Sequence, residues 1–356
     1  MAAVRAAVAV AARRLARRLL SSDAGASPPL LGHFHQPRPT TDLPDFMRPR
    51  RPSAPTFVPA AASSPRLSLD FLPVDVSVGF SLYDSHLGLL LLLQGAGGGL
   101  PRLLVCDPVS RGHALLPLPP ASARGEFVGA ALISRAGGFE FEAACLTVDA
   151  GRVRAWVASF RDGECSWRAL PPSGDVEITF DPFWFEQRCV HAAGSLYWHI
   201  CNNDSALALD PATMEFSFLR APALMLDDKP FTKYRIGEMP DDGRLCVGSL
   251  EDQKLQLCVQ GTGSLDGWVL ERQVCLRKVL DMVPGLPKDH LSRNYCTWLS
   301  DVDGGHTGRV FIMTRGRGRF LYNVDTGKLD RLATDDGMEY GHPIFAYFGS
   351  PDTRSD

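Results

Sequence analysis

No two cysteines in this chain are spaced C-x-x-C, no H-E-x-x-H or G-x-S-x-G motif occurs, and no carboxylate pair stands at a catalytic motif spacing. The longest apolar run, Leu87 to Leu93 with Gly88 inside it, falls far short of the roughly 20 residues that a membrane helix requires. Charge of one sign is also scarce. A net charge of -3 and a pI near 6.3 leave no whole-domain basic face of the kind that nucleic acid selects. The nine cysteines (Cys106, Cys145, Cys165, Cys189, Cys201, Cys246, Cys258, Cys275 and Cys296) are odd in number and mostly sit inside apolar runs such as LLVCDP and LQLCVQ. They read as small buried hydrophobes of a reducing compartment rather than as a disulfide framework.

What is present is enough apolar material for a core. Hydrophobic residues make up 45% of the 356 positions and charged residues 22%, which excludes wholesale disorder. The first twenty-two residues hold five arginines and no acid. At helical period Val4, Val8, Leu15 and Leu19 fall opposite Arg13, Arg14, Arg17 and Arg18, the pattern of an organelle presequence or of a plain solvated helix. From Ala24 to Pro65 proline, serine and alanine dominate, with RPRRP at Arg48 to Pro52, and the reading is an extended, exposed strap.

Beyond Leu67 short apolar runs alternate with turn residues, the signature of β-strands joined by hairpins. One unit recurs: an apolar strand, an Asp-centred turn, a returning strand and a Leu-Pro type ending. It is seen in LLVCDPVSRGHALLPLPP, ALALDPATMEFSFLRAP and FLYNVDTGKLDRLA. Five units are drawn, Val76 to Pro120, Glu126 to Pro172, Val176 to Pro222, Phe231 to Leu280 and Tyr295 to Thr334, with a period of roughly fifty residues, near that of kelch-type blades. FVP and RLSLDFLP remain at the start and HPIFAYFG at the end, and pairing of the chain ends would close the ring without open edges. The expected fold is therefore an all-β propeller, six blades favoured and seven possible, preceded by a short helix and a proline-rich strap. A large open sandwich is the alternative.

Four features have the residue types of possible sites. QGAGGGLPR and GTGSLDG lack the Lys-Ser/Thr and the following helix of a phosphate loop, and read as hairpin loops. His33 and His35 form H-x-H without a third ligand nearby, and read as surface or lightly packed. His191 and His199, set among apolar strand residues, read as structural. Acid pairs such as Asp241 and Asp242 sit in turns. No catalytic, cofactor-binding or metal-ligating residue is assigned, and the chain is not expected to be an enzyme. The candidate partner contacts are Phe183, Trp184 and Phe185 of DPFWFEQ, together with Arg315, Arg317 and Arg319 of RGRGR. Large planar side chains on loops dominate binding hot spots.

The ordered set SPPLLGHFHQ, FVP, RLSLDFLP, SHLGLLLL, LLVCDPVSRG, CSWRALPP, AAGSLYWHI, ALALDP, LQLCVQ with DGWVLERQV, and RGRGRFLYNVDTGKL resembles the F-box-associated β-propeller proteins of plants, abundant in grasses, from about Pro28 onward. Full members carry an F-box before the LLG-F segment that docks onto the Skp-type adaptor of a cullin ubiquitin ligase. Only a short Ala/Arg helix precedes Ser21 here. The resemblance implies a protein-interaction module, the substrate-recognition part of such a protein without its ligase-docking box. Its implied partner is an unidentified protein, with neither nucleic acid nor membrane involved. The expected division is 1–27 basic segment, 28–66 strap, 67–349 propeller and 350–356 tail. The expected state is a monomer in the cytoplasm or nucleus, or in mitochondria if the basic segment targets it. An organelle-targeted propeller of other role and a propeller enzyme with a channel active site are the alternatives.

Overall fold

The computed structural model describes residues 28–37, 54–73, 79–95, 100–120, 123, 125–171, 176–186, 188–201, 203–225, 234–239, 241–261, 266–303, 307–315, 317–332, 340–341 and 343–349. The basic segment, RPRRP, the glycine-rich centres of QGAGGGLPR and GTGSLDG, and the tail lie outside the described residues.

Six antiparallel sheets form the fold. The first blade holds β3 (Phe80–His86), β4 (Leu89–Gln94), β5 (Arg102–Asp107) and β6 (Gly112–Leu115), and the second holds β7 (Glu126–Ala136), β8 (Glu140–Asp149), β9 (Arg152–Arg161) and β10 (Glu164–Ala169). The third contains β11 (Val190–Ala192), β12 (Ser195–His199), β13 (Ser205–Asp210) and β14 (Glu215–Arg220). The fourth contains β15 (Arg235–Glu238), β16 (Leu245–Glu251), β17 (Lys254–Gln260) and β18 (Trp268–Cys275). The fifth is β19 (Thr297–Val302), β20 (Arg309–Thr314), β21 (Gly318–Asn323) and β22 (Leu329–Leu332). The closing blade joins the chain's two ends, with β1 (Leu30–His35) between β2 (Thr56–Pro59) and β23 (Ile344–Phe348). The molecule is a six-bladed β-propeller.

Neighbouring blades meet through their innermost strands: β3 touches both β23 and β7, and β15 touches both β11 and β19. Second and third strands are sandwiched between adjacent blades, so β4 (LLLLLQ) and β12 (SLYWH) are buried almost throughout. That is why those segments read as unbroken apolar runs rather than alternating ones. Outer strands such as β10 and β14 face water on one side and keep a mixed composition.

The recurrent turn works as its chemistry requires. Asp107 Oδ1 accepts from the backbone N–H of Val109 at 2.8 Å, and Asp210 Oδ1 accepts from Ala212 N–H at 2.8 Å. In the third copy the capping side chain is Asn323, which accepts from Asp325 and Thr326 at 3.0 and 2.8 Å. The tryptophans of WRALPP and WVLERQV also share a role. Trp167 Nε1 donates to Pro117 O at 3.1 Å and Trp268 Nε1 to Arg220 O at 3.0 Å, each bracketing the blade before its own.

Two expectations for the N-terminal part are corrected. LLGHFH, read as part of an exposed strap, is β1, the central strand of the closing blade, with His33 opposite Val58 and Ala346. RLSLDFLP is not a strand but a turn that places Leu69 and Leu72 together in the core beside Phe34, Phe80 and Tyr347. His33 and His35 are accordingly buried rather than at the surface. His33 Nε2 lies 3.3 Å from Asp303 Oδ2 of the fifth blade, and the His35 ring stacks on Tyr340 at 4.1 Å. On the other flank Tyr347 donates to Gly88 O at 2.8 Å and Ser85 to Ala346 O at 3.0 Å, so the closing blade is held to both neighbours.

Candidate functional site

In a four-stranded meander the connection entering the blade and the turn between its second and third strands lie at one end, and the other two hairpins lie at the opposite end. Hydrogen bonds follow that rule. Cys201 N–H donates to Trp184 O at 2.7 Å, Leu276 N–H to Gln253 O at 2.8 Å, and Arg317 Nε to Gly285 O at 3.0 Å. This entry end therefore carries both DPFWFEQ and RGRGR.

Within DPFWFEQ, Asp181 caps a single 3-10 turn, Pro182–Trp184, by accepting from Phe183 N–H at 2.8 Å. Phe183 is 82% exposed and Trp184 41%, whereas Phe185 is buried, bridged to Ile200. Arg315 and Arg317 are exposed, but Arg319 lies on β21 and is buried. Phe185 and Arg319 are thus corrected from contact candidates to core residues, because strand pairing turns both inward.

Sequence reasoning missed the second exposed element. Between the fourth and fifth blades the chain forms α1 (Arg277–Leu280) and α2 (His290–Cys296), the latter capped by Asp289, whose Oδ1 accepts from Ser292 N–H at 2.8 Å. Arg293, almost wholly buried, pins α2 through Gln253, Asp281 and Pro287 at 3.0, 2.7 and 2.8 Å. With Arg293 turned inward, Leu291 and Tyr295, four residues apart on one helix face, point to water at 71% and 82% exposure, and Met282 joins them at 81%. The signal was the DHLSRNY segment, an N-cap aspartate followed by an i, i+4 apolar pair.

The axis of the ring is crossed by ion pairs between blades that are not neighbours. Arg188, entering the third blade, makes a bidentate pair with Asp301 of the fifth, Nη2 to Oδ1 at 2.9 Å and Nη1 to Oδ2. Its Nε lies 3.6 Å from Glu186 Oε2, and Glu186 Oε1 accepts from Arg235 of the fourth blade at 2.9 Å. Among the described residues two cations and two anions balance. Burial alone would lower the Arg188 pKa, but Asp301 and Glu186 more than reverse it, so the guanidinium is held firmly charged. Toward the far end Asp84 of β3 accepts from Leu132 N–H at 2.8 Å and lies 2.9 and 3.0 Å from His191 Nε2 of the third blade.

His199 is buried behind this network and accepts from Ile236 N–H at 3.3 Å, so its Nε2 carries no proton. Burial pushes its pKa down to about 3, Arg235 and Arg188 push the same way, Glu186 opposes, and the Tyr234 ring lies against it at 5.3 Å. A folded pKa below the unfolded value of about 6.5 means stability is complete above that pH and falls as the solution is acidified toward 3. His199 alone should make the chain about 2 kcal/mol less stable at pH 5 than at pH 8. Urea unfolding at both pH values, with His199→Gln beside the parent, checks this: the variant should lose that much of the slope, and equal slopes would contradict it. The nine cysteines are free; five are buried, Cys165, Cys201 and Cys296 are half-buried and Cys275 is exposed, and burial pushes the Cys145 and Cys246 thiols up to about 12, far from reactive.

No family model and no curated protein matches the chain. Among solved structures it is similar to the β-propeller domain of Cps50 (Swd1) from Myceliophteria thermophila, at 14% identity and TM-score 0.39 over 79% of this chain and 80% of that one. It is also similar to a chain of the Nidogen/Laminin complex, at 12% identity and TM-score 0.43 over 90% and 99%. A third likeness is to the PQQ-bound aldose sugar dehydrogenase of Streptomyces coelicolor, at 12% identity and TM-score 0.41 over 93% and 96%. The assignment of six blades rests on the strand pairing described above.

Proposed function

We propose that this propeller is a protein-interaction module that grips its partner with the entry end of the ring, acting as the recognition part of a plant F-box-type protein. The observation that carries the reading is the set of large apolar side chains held in water there: Phe183 and Trp184 on one connection, Met282, Leu291 and Tyr295 on another. Each connection is pinned by capped turns or by a buried arginine, so the exposed groups are presented with little conformational freedom left to lose on binding. Such anchors dominate protein interfaces, and Arg317 beside them supplies a guanidinium of the kind found at hot spots. The axis, where propeller enzymes keep substrates, is crossed here by mutually paired charges, which favours a binding role over channel catalysis.

The test is quantitative capture from plant tissue by the parent, by Phe183→Ser/Trp184→Ser, and by Met282→Ser/Leu291→Ser/Tyr295→Ser. These positions are exposed, so folding should be unchanged by circular dichroism. A partner held by the parent should fall at least about tenfold with one variant or both. Equal recovery by all would place binding elsewhere. Purified Skp-type adaptor should not bind these 356 residues, and micromolar binding would overturn that part of the reading.

A further inference from the structure

The far end of the axis, away from the proposed contact face, holds three metal-binding side chains from two blades. Asp84, Cys189 and His191 each place a donor atom within 4.8 Å of the other two. Asp84 and Cys189 are buried, and the His191 side chain is 19% exposed beside the Leu87–Gly88 and Ala193–Gly194 hairpins, so an ion could enter from that end. We propose that Asp84, Cys189 and His191 form a binding site for a divalent ion of zinc's character, which ties the first blade to the third across the second.

Three features support the site. The donor set, one thiolate, one imidazole and one carboxylate, suits zinc better than calcium or magnesium, which prefer oxygen alone. Charge balances: an ion of +2 with thiolate and carboxylate makes a neutral cluster, which the low-dielectric axis accepts at far lower cost than an isolated carboxylate. The carboxylate is also aimed before any ion arrives. Its oxygens accept backbone N–H bonds from Ser85 and Leu132, both at 2.8 Å, leaving lone pairs directed at His191. Tetrahedral zinc with bonds of about 2.0–2.3 Å sets its donors roughly 3.3–3.7 Å apart, so Asp84 Oδ2 and His191 Nε2, now at 2.9 Å, would open slightly to admit the ion.

Binding forms Zn–S, Zn–O and Zn–N bonds. The Cys189 S–H bond breaks and its proton leaves to solvent, while the His191 Nε2–H bond to Asp84 breaks, that proton leaves to solvent as one is taken up at Nδ1, and the freed Nε2 lone pair coordinates. The fourth position falls to water or to His86, whose ring stacks on His191 at 3.9 Å. The competing account is a structural Asp84–His191 pair beside an idle core thiol.

Cobalt distinguishes them, because only a Co–thiolate bond gives an intense near-ultraviolet charge-transfer band. The chelator-treated full chain should take up one equivalent of cobalt with that band, and zinc should bleach it. Cys189→Ser should abolish the band, Cys275→Ser should retain it, and His191→Gln should weaken cobalt binding at least about tenfold. Absence of the band in the parent, or its survival in Cys189→Ser, overturns the proposal. Should Cys189→Ser fail to fold, melting decides: zinc must raise the melting temperature of the parent but not of His191→Gln, and no zinc effect on the parent overturns the site.

Discussion

Replacing Asp301 with alanine should destabilise the chain by about 3–5 kcal/mol, read as a shift in the urea midpoint, because it strands the Arg188 guanidinium in the middle of the ring. The Arg188 side chain is 3% exposed and that of Asp301 9%, so water cannot take over the lost bonds. Among the described residues Glu186 is the remaining anion, already shared with Arg235, and one carboxylate cannot neutralise two guanidiniums. Shedding the proton is no escape, since arginine keeps its charge under all folding conditions. Asp301 also accepts from Val302 N–H at 2.9 Å, so part of the loss is a local backbone bond.

The double variant Arg188→Met/Asp301→Leu separates the two parts. With both charges gone there is no desolvation to offset, and apolar groups of similar volume fill the space, so most of the loss should return. A single-variant cost under about 1 kcal/mol would mean that water reaches the axis and the pair stabilises little.

The parts of this fold that could be read in advance are those set by neighbours in the chain. Asp107, Asp210 and Asn323 each cap a turn within three residues of themselves, so the repeat shows in the sequence. Ala193–Gly194, with φ of 49° and 76°, is likewise a local hairpin signal. The parts that were not legible depend on distant partners. LLGHFH is short and flanked by prolines, and it is a strand because Thr56–Pro59 and, from far along the chain, Ile344–Phe348 pair with its two edges. Phe185 and Arg319 look like loop contacts until Ile200 and the β20–β21–β22 ladder turn them inward. Arg188 has a partner 113 residues away in Asp301, and Asp84 meets His191 across 107, separations that no motif spacing encodes.

The same limit applies to the seams between blades, where a small residue in one strand is intelligible only with its large counterpart in another. Trp198 on β12 is fully buried, and its indole occupies the place a side chain at Gly129 of β7 would need: a Cβ there would lie 2.4 Å from Nε1 and 2.7 Å from Cδ1. The fourth and fifth blades repeat the device, with Val302 seated over Gly237 at 2.3 Å from the missing Cβ. Gly129 keeps a backbone that alanine tolerates, so the glycine is there for space. Trp198→Ala should therefore cost about 3–5 kcal/mol through the cavity it leaves between Val128, Leu146 and Leu207. Gly129→Ala should cost about 1–3 kcal/mol by forcing the indole outward. The two should not add, because once the indole is gone the new methyl group enters empty space. In the Trp198→Ala background Gly129→Ala should be close to neutral, whereas an undiminished cost there would trace the glycine to its own strand and dissolve the seat-and-knob account of the seam.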